Sequence, residues 1–108
     1  MNVYKLAEAL ELTPLATPDV DREVIGCYTG DLLSWVMGRA NADCIWVTIM
    51  TNINTVAVAT LVDASMVVIA ENAEITPDVV EKAREKGVNL YTSPKDAYAL
   101  CVEISKLI

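Results

Sequence analysis

The chain predicts an α/β fold, a three-layer α/β/α arrangement around a mainly parallel sheet of about four to five strands. Strand-like and helix-like periods alternate four times between Val24 and Ile108. Crossover helices between such runs give parallel strands with right-handed connections. The run Cys44–Met50 is β-branched and has helical patterns on both sides, which marks a central strand covered on both faces.

At 108 residues the chain reads as a single domain over 1–108, long enough to bury a core without metal or disulfide. Its residues are 54% hydrophobic and 21% charged, a ratio that points to a buried homodimer interface. The net charge of −7 opposes phosphate-backbone binding, so no nucleic-acid partner is expected. Three cysteines, odd in number and far apart, suggest neither a disulfide framework nor a zinc clip. There is no histidine, the commonest metal ligand and general base, and neither cofactor nor metal is expected. Met1–Lys5 lacks a signal-peptide pattern and no apolar run reaches membrane-spanning length. The expected setting is a reducing cytoplasm, with no membrane partner.

In chain order, Val3, Leu6, Ala7 and Leu10 recur at helical spacing, and Asn2 caps the helix they form over residues 2–11. Pro14 and Pro18 prevent that helix from continuing and leave room for a short edge strand around Leu12–Leu15. Val24–Tyr28 reads as a first core strand. Gly26 and Gly30 bound a tight turn, and Asp31 stands at the N-cap of a helix over Asp31–Ala40. Thr55–Asp63 is nearly all apolar and small, as suits a helix packed on two sides. Met66–Ala70 is a buried strand. Thr76-Pro77-Asp78 opens a helix that Gly87 closes, with Asp78 and Lys82 at the favourable i,i+4 spacing. Val88–Tyr91 is a short strand, and Ser93–Asp96 cap a last helix striped by Ala97, Leu100, Cys101, Ile104 and Leu107.

Ligands of open parallel sheets bind outside the carboxyl ends of the strands. The junctions there are Tyr28–Asp31, Thr48–Asn54, Glu71–Glu74 and Thr92–Ser93. Candidate ligand-binding residues are therefore Gly26, Cys27, Tyr28, Gly30, Asp31, Thr48, Thr51, Asn52, Asn54 and Glu71. Amides at Asn52 and Asn54 either hold a ligand or simply cap a helix. The Gly26–Gly30 spacing is no phosphate loop, because Asp31 stands where the lysine belongs. Cys27 is either a core thiol or, beside a turn and a helix N-terminus, a reactive one with lowered pKa. Trp35 and Trp46 are core or interface aromatics, and Trp35, Val56 and Val58 are the expected interface. No nucleophile–base pair can be assembled, so the chain reads as no enzyme.

Several blocks together resemble the DRTGG-domain proteins, in particular small stand-alone members found in anaerobic bacteria. They are Asp21-Arg22-Glu23-Val24, Gly26–Met37, Trp46-Val47-Thr48, Thr51–Ala59 and Glu71. The resemblance spans essentially the whole chain. It is similar to the N-terminal domain of HPr kinase/phosphorylase, and to modules in phosphate acetyltransferase-like proteins and family II pyrophosphatases. In those pyrophosphatases the module accompanies adenine-nucleotide-sensing CBS domains. The resemblance implies a regulatory or dimerising α/β/α module and no kinase activity, because the Walker lysine is missing. Larger relatives carry a glycine–aspartate–arginine run before the second crossover helix and a threonine–glycine–glycine run after the next strand. Here Thr51-Asn52-Ile53-Asn54 and Ala70-Glu71-Asn72 stand in those places, so an arginine-lined anion site is not implied. Stand-alone members tend to be encoded near iron-only hydrogenases, which implies a regulatory protein partner in redox metabolism.

The leading expectation is a non-catalytic regulatory homodimer that binds an adenine nucleotide or another small anionic metabolite at the strand carboxyl ends. The alternatives are a protein-interaction module tied to redox signalling, and a thiol-based sensor using Cys27.

Overall fold

The structure, a computed structural model, describes residues 1–108. Along the chain, α1 (Val3–Ala9) and β1 (Thr13–Ala16) are followed by β2 (Gly26–Thr29), α2 (Leu33–Arg39), β3 (Cys44–Thr48) and α3 (Ile53–Val62). Then come β4 (Met66–Ile69), α4 (Pro77–Glu85), β5 (Leu90–Thr92) and α5 (Ala97–Ser105). The five-stranded sheet has the order β1-β5-β4-β3-β2; β2 to β5 are parallel, and β1 pairs antiparallel with β5. No helix is long and apolar enough to cross a membrane.

Alternation along the central strands sorts the core into two halves. Cys44, Trp46, Val67, Ile69 and Leu90 point to one face, where Val36, Val56, Ala59, Val79 and Ala83 of α2, α3 and α4 cover them. Ile45, Val47, Met66, Val68 and Tyr91 point to the other, under Leu6 and Leu10 of the α1 region and Leu100 and Ile104 of α5. All five residues of β3 are buried, as its unbroken apolar run predicts.

Caps mark where several helices start. Asn2 accepts from the Lys5 amide (2.9 Å), Asn52 from the Asn54 amide (2.8 Å) and Asp96 from the Ala99 amide (2.8 Å). Pro77 opens α4, and Gly87, at φ 74°, takes the left-handed turn beyond its end.

Four sequence expectations are corrected. The strand at Gly26–Thr29 is no core strand but the free edge of the sheet, and Ile25 just before it is 72% exposed. Asp31 does not cap α2, which begins at Leu33 with Leu32 at the cap position and no side-chain cap bond. Val56 and Val58 are buried in the chain's own core, so α3 offers a partner only Ile53 and Leu61 as large exposed apolar residues. Asp78 accepts a bond from the Thr76 hydroxyl, and Lys82 pairs with Glu85 at 3.6 Å instead.

Candidate functional site

At the carboxyl ends of β2 and β3 one hydrogen-bond network joins two loops. The Asp31 Oδ1 atom accepts from the Thr48 hydroxyl (2.8 Å) and from the Ile49 amide (2.9 Å). Two donors at the end of a buried strand outcompete the single amide that a helix cap offers, which is why Asp31 leaves the capping role. The indole Nε1 of Trp46 donates to the Gly30 carbonyl at 2.9 Å, fixing the same turn from the core. Trp46 is thus a buried anchor, fully covered.

Above this network lies a cleft of about 460 Å³ lined by Tyr28, Thr29, Gly30, Asp31, Leu32 and Trp35. A Cβ at Gly30 would stand 3.1 Å from the Tyr28 ring, so a side chain there crowds the aromatic wall. Gly26 has open space around it, and neither glycine takes a left-handed backbone; the turn does not demand both. Trp35 is 54% exposed, and the Arg39 guanidinium stacks 3.7 Å from its ring centroid. Asp31, Tyr28, Gly30 and Thr48 therefore meet in one place.

The other expected residues do not join them. Gly26 and Cys27 lie lower on the β2 edge, between a cavity of about 190 Å³ beside Arg39 and another of about 400 Å³ that Cys101 also lines. Asn52 is a helix cap, with its Oδ1 committed to the Asn54 amide. Thr51 and Glu71 line no cavity, and Asn54 opens onto a groove of about 340 Å³ between α3 and α4 with Lys82 and Lys86. That basic groove was not expected, because its lysines stand about thirty residues from Asn54 in the chain.

Glu71 has another role. It and Asn72 both take left-handed backbones (φ 60° and 52°), which turns their amides onto the Lys95 and Ser93 carbonyls at 2.9 and 3.0 Å. After β4 the chain leaves to the α4 face and after β5 to the α5 face, where a doubly covered sheet opens a crevice. Main-chain bonds close this one.

The thiol of Cys27 does not have the lowered pKa expected of a reactive cysteine. Although Cys27 is exposed at the β2 edge, partial desolvation of its thiol, with Cys101 beside it and Cys44 nearby, pushes its pKa up to about 12. No three His, Cys, Asp or Glu side chains converge to hold a metal ion.

Against known proteins, no family model matches the sequence and no curated protein matches it significantly. The structure is similar to that of the CBS and DRTGG domains of the regulatory region of Clostridium perfringens pyrophosphatase, complexed with its activator diadenosine tetraphosphate. The TM-score is 0.71, at 9% identity, over 95% of this chain and 45% of that one. The fold fits a DRTGG-like domain. At 9% identity the likeness is one of fold, and the chain spans less than half the length of that pyrophosphatase region. Within this fold, the β2–α2 cleft is where ring faces, a carboxylate and an arginine come together.

Proposed function

We propose that this chain is a non-catalytic regulatory module that binds an adenine nucleotide, or a similar small anionic metabolite, at the β2–α2 junction and acts as a homodimer. One observation carries the ligand reading. The cleft of about 460 Å³ sets the Tyr28 and Trp35 rings beside Asp31, whose Oδ2 is left free while Oδ1 is held by Thr48 and Ile49. A purine stacks on such rings, and its exocyclic amine donates to a fixed carboxylate oxygen. Arg39, stacked on Trp35, supplies the charge that draws phosphate to the rim. Further support comes from the fold, since a pyrophosphatase regulatory region that includes it is complexed with diadenosine tetraphosphate.

Calorimetry with AMP, ATP, diadenosine tetraphosphate and the matching guanosine compounds tests the reading. The Asp31→Asn variant keeps the Oδ1 bonds but replaces the free acceptor with a donor, so adenine-nucleotide affinity should drop at least about tenfold. Absence of heat from every nucleotide, or equal binding by wild type and Asp31→Asn, overturns it.

A second reading, a protein-interaction module for a regulatory partner, is favoured by the exposed apolar residues along the β2 edge and α2. Ile25 is 72% exposed, Leu32 63% and Trp35 54%. The thiol-sensor reading has less support, because the Cys27 pKa is raised and not lowered, although the residue itself is exposed.

A further inference from the structure

Two of the three thiols meet on one face of the sheet. Cys27 stands opposite Ile45 in the β2–β3 register, and Ile45 points to the side that α1 and α5 cover. Cys101 on α5 packs against that same half of the core. A cavity of about 400 Å³ between the β2 edge and α5 is lined by both thiols, together with Ile25, Thr29, Ile104 and Ser105. Inside it, Cys101 is in hydrogen-bonding contact with the Cys27 thiol. Cys44 is 2% exposed and belongs to the opposite half of the core, so it is turned away from the pair.

Cys27 is exposed, Cys101 is half-buried, and no charged residue lines the cavity, so a small neutral reagent reaches the pair from solvent. In the reduced chain β2 is bonded on one side only, by β3. A covalent tie from Cys27 to α5 gives that edge strand a second attachment. It also closes a long loop of the chain, and long loops are where a cross-link restricts the unfolded state most.

We propose that Cys27 and Cys101 form a reversible disulfide that locks the free sheet edge to α5, with a low-molecular-weight disulfide as the oxidant. A thiolate of the pair attacks one sulfur of the incoming disulfide, whose S–S bond breaks and whose other half leaves as a thiol. The remaining thiol gives up its proton and attacks the mixed disulfide, forming the Cys27–Cys101 bond and releasing the second half as a thiol. Two electrons pass from the protein to the reagent, and the two protein S–H protons end on the two released thiols. The raised Cys27 pKa slows this exchange near neutral pH, and alkaline pH restores it. That separates the lock from a fast thiolate sensor. It needs neither a ligand in the β2–α2 cleft nor a second copy, so it stands or falls apart from those readings.

Mass spectrometry of the whole chain, reduced and then brought to equilibrium with hydroxyethyl disulfide at about pH 8.5, tests it. The native chain should lose two hydrogen atoms, its peptide map should join Cys27 to Cys101, and dithiothreitol should reverse both. Cys44→Ser should behave as wild type, whereas Cys101→Ser should stop at a mercaptoethanol adduct on Cys27. The oxidised chain should melt about 10 °C above the reduced one. Circular dichroism reports whether each variant is folded. The proposal is overturned if the folded native chain stays reduced or carries only mercaptoethanol adducts, if the bond formed joins Cys44, or if the oxidised chain melts no higher than the reduced one.

Discussion

Asp31 and Cys27 show how neighbours redirect single side chains. Asp31 is spaced to cap a helix, but the fold places the Thr48 hydroxyl and the Ile49 amide within 2.8 and 2.9 Å of it. Thr48 is 1% exposed, so removing its acceptor strands a buried hydroxyl. Asp31→Ala should lower stability by about 1–3 kcal/mol, read as a lower urea midpoint, while Asp31→Asn stays near wild type. Equal midpoints for all three would mean that these bonds contribute nothing. At Cys27, desolvation first, then Cys101 and Cys44, push the folded-state pKa up to about 12. The unfolded thiol gives up its proton near pH 8.5, so this group's contribution to stability is complete below about 8.5 and is lost as the pH rises toward 12. Iodoacetamide labelling of Cys27 in the native chain should still be accelerating above about pH 9, where an ordinary thiol levels off. A plateau near 8.5 would show an unperturbed thiol.

Among the elements, α3 was the most legible for burial and the least for partners. Its apolar surface runs nearly all round, and Val56, Ala59 and Val62 use it within the chain, beneath the sheet and beside α2 and α4. Which apolar side of such a helix meets its own sheet is a question of three-dimensional position; periodicity alone could not exclude Val56 and Val58 from an interface. Asn89, just before β5, is a residue that patterning passes over. It is 1% exposed, accepts from the Asp19 amide at 3.0 Å, and donates to the Asp19 and Ser65 carbonyls at 2.8 and 2.9 Å. It pins the connector before β2 to the β4–β5 pair. Asn89→Ala should cost about 2–3 kcal/mol and loosen that connector first, seen as faster amide exchange at Asp19. Retained protection at Asp19 would show that the connector is held by other contacts.

For the whole molecule, strand order decides where a partner has access. Because β2, β3, β4 and β5 follow one another across the sheet, the first of them ends at an edge with no neighbour. Unpaired edge groups beside exposed Ile25 form a surface that natural sheets normally cover. For the proposed homodimer, sedimentation velocity should show a dimer that Ile25→Glu converts to a monomer with an unchanged circular-dichroism spectrum and a melting temperature that no longer depends on concentration. Ile25 stands outside the β2–α2 cleft, so nucleotide affinity should persist in that variant. A wild-type monomer at high concentration would remove the homodimer from the proposal.

The sequence by itself determined the layer architecture and the placement of most strands and helices. Those features arise from local periodicity, capping side chains and glycine or proline, each acting within a few residues. Only tertiary structure decided that the Gly26–Thr29 strand is an edge, that Asp31 reaches across to β3, and that Cys27 meets Cys101. Each of these brings together residues far apart in the chain. Such meetings depend on the order and register of the strands, which local pattern does not encode.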